Sequence, residues 1–99
     1  MMAFIQSIEL ATEQRDAFLE LMQRWSADSI ANGTARRSTI AEDRSNPGRF
    51  VVAVSFESAD AAAVNSERTE TDAFAAEFRS LCSDGPVFRE FDVVETHGA

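Results

Sequence analysis

Four side chains in this sequence have the types and the spacing to form a small-molecule site: Trp25, Arg37, Asn65 and Ser66. Trp25 offers a large flat apolar surface with one N–H donor, so it either packs in a core or walls the mouth of a cavity. Arg36 and Arg37 are neighbours in a segment that reads as a strand, so their side chains point to opposite faces. Arg37 can therefore reach into a cavity and hold a carboxylate or enolate with its planar fork. The alternative is an ion pair with nearby acids, at the surface or at a subunit seam. Asn65-Ser66 interrupts a helical pattern, where the amide can either bind a ligand carbonyl or cap the break.

The commoner catalytic types point elsewhere. His97 is the single histidine and the general base by residue type, but it follows the last strand pattern and reads as a tail residue. Cys82, the single cysteine, ends a helical stripe and reads as a small buried core residue. It has no partner for an internal disulfide, which fits a reducing cytosol. His, Cys and acids do not cluster at metal-ligand spacing, and with 4 glycines in all there is no phosphate-cradling loop. No metal and no cofactor are expected, and no residue is assigned a catalytic role.

Charge and length narrow the partners. Acids number 17 against 9 basic residues, for a net charge of −8. Such a field repels nucleic-acid phosphates and anionic membrane surfaces. No apolar run approaches the ~20 residues of a spanning helix, and MMAFIQSIEL has neither the basic start nor the apolar core of a signal peptide, so a cytoplasmic location is expected. The 99 residues, 44% of them hydrophobic, read as one domain over 1–99. A chain this short buries only about two-thirds of its unfolded surface and gains from a partner subunit.

The elements that must position these side chains follow from periodicity. Ala3 to Leu10 alternates as a strand, with Phe4, Ile8 and Leu10 on one side and Gln6 as a polar intruder among them. Thr12 is the expected N-cap of a helix whose stripe is Phe18, Leu21, Met22 and Trp25, with Asn32-Gly33 as its stop. Thr34 to Glu42 reads as a polar strand, at an edge or beside a wet pocket. Arg49 to Phe56 reads as a central strand, because Phe50, Val52, Val54 and Phe56 share one face and Val51 and Ala53 the other. Ser58 caps a short helix to Val64, and Thr69 or Thr71 restarts a helix with the stripe Phe74, Phe78 and Leu81. Glu67-Arg68-Thr69-Glu70 reads as a solvated loop, Ser83-Asp84-Gly85-Pro86 as the helix stop, and Val87 to Val94 as the last strand.

Two halves, each a strand followed by a helix with a similar stripe, describe an α+β, ferredoxin-like βαββαβ protomer: an antiparallel sheet with helices on one face. The other face needs cover for residues such as Val51 and Phe88. A second copy of the same sheet is the simplest cover, so a homodimer through sheet faces is expected.

FVVAVSFES, AAAVNSERTETDAF (Ala61 to Phe74) and LCSDGPVFREFDVV together resemble the antibiotic-biosynthesis-monooxygenase-like family of the dimeric α+β barrel superfamily, over Ala3 to Val94. The resemblance implies two ferredoxin-like sheets pairing into a dimeric barrel, with a ligand cavity between sheet and helices in each protomer. Characterised members of that family include cofactor-independent oxygenases of aromatic polyketides and haem-degrading enzymes, while many others have no known activity. The oxygenases use Tyr, Trp and His near a phenolic substrate, and this chain has no Tyr. The haem-degrading branch uses an axial His on the second major helix, and Thr71 to Cys82 contains none.

Two function classes follow. In the first, the chain is a cofactor-independent monooxygenase of a phenolic or polyketide-like molecule, whose carbanion itself activates oxygen while Arg37, Asn65 and Trp25 donate and wall. In the second, it is a non-catalytic dimeric module that binds an apolar aromatic molecule or serves as a structural partner.

Overall fold

The computed structural model describes residues 3–98 and contains seven elements: β1 (Phe4–Thr12), α1 (Arg15–Ala31), β2 (Arg37–Glu42), β3 (Arg49–Phe56), α2 (Ala59–Ser66), α3 (Thr69–Leu81) and β4 (Cys82–Asp92). The strands form one antiparallel sheet in the order β2-β3-β1-β4. This is the expected ferredoxin-like arrangement, with the second helical segment split into α2 and α3. β3 is central and the polar β2 is an edge.

Register explains which face is covered. Phe4 pairs with Phe56, Ile8 with Val52 and Leu10 with Phe50, so the large apolar residues of both central strands stand on one face. The stripe of α1 (Phe18, Leu21, Met22, Trp25) and Phe78 of α3 are buried against them. Phe18 joins the layers, with its ring 4.8 Å from Phe50 and 6.0 Å from Phe78. A buried Phe in such a position costs ~3–5 kcal/mol to truncate to Ala. The opposite face carries Ile5, Ser7, Glu9, Val51, Ala53 and Ser55, and no element of the described residues covers it.

The boundaries correct several expectations. Thr12 does not cap α1: its N–H bonds the Gly48 carbonyl at 2.8 Å and keeps it in β1. Gln14 holds the cap position, and Thr12 Oγ1 accepts from the Gln14 N–H at 3.0 Å while donating to the Leu81 carbonyl at 2.7 Å. β2 begins at Arg37 rather than Thr34, because the preceding residues are engaged by helices. Thr34 N–H bonds Asn65 Oδ1, Thr34 Oγ1 donates to the Ala61 carbonyl, and Ala35 N–H bonds the Ser29 carbonyl.

β4 begins at Cys82, directly after α3, so Ser83 to Pro86 belong to a strand and not to a loop. Its register against β1 slips between Glu9 and Ala11, beside Gly85, whose φ of 81° suits glycine. A second slip follows between Ala11 and Thr12, and the two together keep the parity of β4, so Phe88 shares the side of Cys82. Phe88 therefore pairs with Ile8 on the helix-covered side instead of the open one, whereas Val87 and Phe91 pair with Glu9 and Ile5 on the open face. Cys82 is half-buried against the core, with burial raising its thiol pKa and its Sγ 3.3 Å from the Phe78 carbonyl.

The break between α2 and α3 falls at Glu67-Arg68, after Asn65-Ser66, which are the last residues of α2. Asn65 is only 2% exposed. Its carbonyl receives Arg68 N–H and Thr71 Oγ1, and its side-chain oxygen receives Thr34 N–H. Arg68 is no solvated loop residue. Its side chain is 16% exposed and its guanidinium sits 3.0 Å from Asp28 on α1. Arg68, in extended conformation, is also the N-cap residue of α3 in place of Thr69 or Thr71. Gly33 lies between these groups, where a Cβ would fall 2.2 Å from Asn65 Oδ1 and 2.8 Å from the Ser29 carbonyl. Only glycine lets α1 end so close to α2.

Asp28 accepts hydrogen bonds from Asn32 and Arg68, and these hold its carboxyl below the ordinary 3.8. Its contribution to stability is present above that value and lost as the pH falls through its lower folded pKa. Asp28→Asn should therefore flatten the acid limb of a Tm–pH profile below about pH 4. Glu42 and Asp43, held down by backbone N–H groups of Gly48 and Ser45, should leave a residual slope. An unchanged limb in Asp28→Asn would show that this junction carries no acid sensitivity.

Candidate functional site

The helices do not seal the whole of the covered face. A half-open cavity of about 230 Å³ lies between α1, α3 and the β1–β4 edge of the sheet. Its walls are Ile8, Met22, Trp25, Phe74, Phe78 and Phe88, and its polar groups are Gln6, Ser66, Thr71, Asp72 and Arg79. The volume is below the ~300 Å³ at which ordinary ligand pockets begin, so a ligand here is small or extends through the mouth.

Each wall has a local cause. Gln6 replaces an apolar residue on the buried side of β1, between Phe4 and Ile8, and so leaves a polar floor where the core would otherwise continue. Phe88 arrives on this side through the β4 register and remains 47% exposed, as a half-covered wall. Thr71, Asp72, Ala75, Phe78 and Arg79 recur at helical spacing on the face of α3 turned to the cavity. The α1 side is fixed by Arg24, which pairs with Glu77 at 2.8 Å and lies 5.9 Å from the centroid of the Phe74 ring.

The four residues singled out from sequence are not brought together. Trp25 and Ser66 line this cavity, Trp25 from α1 and Ser66 from the end of α2, where its hydroxyl also donates to the Ala62 carbonyl at 3.1 Å. Asn65 sits one position earlier, buried, with its side-chain oxygen spent on Thr34 N–H. Arg37 lies on the other side of the sheet, paired in register with Ser55. There it borders a broader depression of about 450 Å³ with Ile5, Arg36, Thr39 and Ala53. His97 is exposed in the tail, 3.0 Å from the Glu95 carboxylate. Among the described residues no three of His, Cys, Asp and Glu come together as a metal site.

Chemically, the cavity suits a flat apolar molecule with a few polar substituents. Aromatic rings offer stacking and edge contacts to a ligand ring. The Gln6 amide supplies both a donor and an acceptor. Gln6, Asp72, Arg79 and Phe88 were not singled out from sequence. Only Gln6 carried a signal there, as the polar residue that broke the alternation of β1. Phe88 reads in the sequence as a residue of the open sheet face, and Asp72 and Arg79 are indistinguishable from surface residues until the helix is placed.

No protein-family model and no curated protein matches the sequence. Solved structures do share its fold. A candidate antibiotic biosynthesis monooxygenase from Caulobacter crescentus superposes with a TM-score of 0.86 at 18% identity, covering 95% of this chain and 92% of that one. SnoaB, a cofactor-independent oxygenase from Streptomyces nogalater, gives 0.86 at 14% identity, covering 97% of both chains. A candidate antibiotic biosynthesis monooxygenase from Nitrosomonas europaea gives 0.84 at 15%, covering 97% and 94%. No helix of the described residues is long and apolar enough to cross a membrane. The chain has the ferredoxin-like α+β fold of the antibiotic-biosynthesis-monooxygenase-like structures.

Proposed function

We propose that the protein is a cofactor-independent oxygenase of a small, planar phenolic or polyketide-like molecule, bound in the α1–α3 cavity and acted on by a homodimer. The observation that carries this reading is the cavity itself, in which Trp25, Phe74, Phe78 and Phe88 surround the polar floor at Gln6. The fold shared with SnoaB supports the reaction class.

Such a reaction asks little of the protein. A ring CH2 beside the phenol loses a proton and becomes an enolate. The enolate passes one electron to O2, and the resulting pair joins as a C–O–O bond. Loss of water then leaves a carbonyl, so one oxygen atom enters the product, the other leaves as water, and the substrate supplies every electron. Gln6 donates a hydrogen bond to the enolate oxygen. The aromatic walls exclude water and hold the ring, with Trp25 and Ser66 at the cavity's α1 and α2 sides.

A second reading, a module that binds such a molecule without turning it over, is favoured by one fact. The chain has no Tyr, and its single His lies in the tail, away from the cavity. Oxygen uptake with 1,8-dihydroxyanthrone separates the two. The oxygenase reading expects protein-dependent consumption of O2, and Gln6→Leu should lower kcat/KM about 10- to 100-fold. Quenching of Trp25 fluorescence without uptake above buffer would leave binding alone. Neither signal would reject both readings.

The dimer rests on the open sheet face, where Val87 is 50% exposed and Phe91 47%, beside Val51. Light scattering at micromolar concentration should give twice the 10.9 kDa protomer mass. Phe91→Glu should move it toward the single-protomer value. A wild-type monomer would overturn the dimer.

A further inference from the structure

The polar groups of the cavity are arranged with opposite charges at its two ends. Asp72 and Arg79 both line it and stand seven positions apart on α3, so about 10 Å of helix axis separates them. Phe74, Ala75 and Phe78 lie between, and Gln6 faces the same space from the sheet. Among the described residues neither Asp72 nor Arg79 makes an ion pair, although six of the other eight basic residues do. In a chain with 17 acids, a cation left free of carboxylates at the rim of an aromatic cavity stands out. Arg79 is in the last turn of α3, where it also offsets the negative end of the helix. That role holds the residue near the cavity without occupying its fork of donors.

Resting on the binding reading above, we infer that the cavity selects an aromatic hydroxy acid over a neutral phenol. The carboxylate of the ligand pairs with Arg79 at one end. Its ring lies between Trp25, Phe74, Phe78 and Phe88. Its hydroxyl donates to the Asp72 carboxylate at the other end, and the Asp72–Arg79 polarity allows only one orientation. A ligand with two acidic ends would meet Asp72 and be rejected. A neutral phenol binds through the walls alone and gains nothing from Arg79.

The single Trp, standing in the cavity wall, reports the binding directly. Quenching of Trp25 fluorescence is to be followed with 6-hydroxy-2-naphthoate and with 2-naphthol, which share a ring system and a hydroxyl and differ in the carboxylate. The acid should bind about tenfold more tightly, the size of a charge-assisted pair at a partly exposed site. Arg79→Gln should bring the ratio of the two affinities to about one. Arg44→Gln, which removes the same charge from the exposed β2–β3 turn, should leave the ratio near ten, separating a specific pairing from the general field of the protein. Equal binding of both probes to the wild type, or a ratio that survives Arg79→Gln, would overturn the selection while leaving the cavity as a site for aromatic rings. Failure of both probes to quench would reject the cavity itself and the selection with it.

Discussion

The structure depends on the register between β1 and β3. Because Phe4, Ile8 and Leu10 meet Phe56, Val52 and Phe50 directly, the large apolar side chains of the two central strands, Ile5 and Val51 apart, emerge on the same face. A shift by one residue would turn all of them to the other side. That alignment obliges α1 and α3 to pack on this face and leaves the other face without a covering element among the described residues. Two surfaces of different character result from one constraint. One is an aromatic recess under the helices, and the other is an open sheet suited to a second copy.

The recess exists because this alignment is not apolar throughout. Gln6 lies in the row of Phe4 and Ile8, and the pairing of β4 with β1 puts Phe88, opposite Ile8, on the same side. Between them the core stops short of α3, whose Asp72, Ala75 and Arg79 face the gap. The helices are then held at a fixed spacing by contacts outside the recess: Arg24 with Glu77 on one flank, and the Asp28–Arg68 pair with Gly33 and Asn65 on the other. The polar residues at the junction of α2 and α3 serve this spacing, so their burial is structural, while the groups free to meet a ligand lie a turn further along.

Much of the architecture was legible in the sequence because it is written in periodicity. The α1 stripe, the central strand Arg49–Phe56 and the Ser58 cap all have local causes, and the Ser58 side chain accepts from Ala61 N–H as its residue type suggests. The failures share a different cause, since each depends on a partner far along the chain. Thr12 stays in its strand because Gly48 holds it, Thr34 leaves its strand because Asn65 and Ala61 hold it, and Phe88 faces the helices because its partner across the sheet is Ile8. The site suffered most. Arg37 and Trp25 are compatible with one cavity in sequence, but the parity of β2 against β3 puts Arg37 on the far side of the sheet. Gln6 was visible as an anomaly, and a polar residue that breaks an apolar row was the better guide than the residue types richest in chemistry.

The proposed ligand site is the recess under the helices, and not the open face. Amide chemical-shift mapping by NMR during addition of 2-naphthol tests this most directly. Perturbations are expected at Gln6, Ile8, Phe78, Arg79 and Phe88, with Ile5, Thr39 and Ala53 unmoved. Perturbations gathered around Ile5, Arg37, Thr39 and Ala53, in the depression on the opposite side of the sheet, would contradict it.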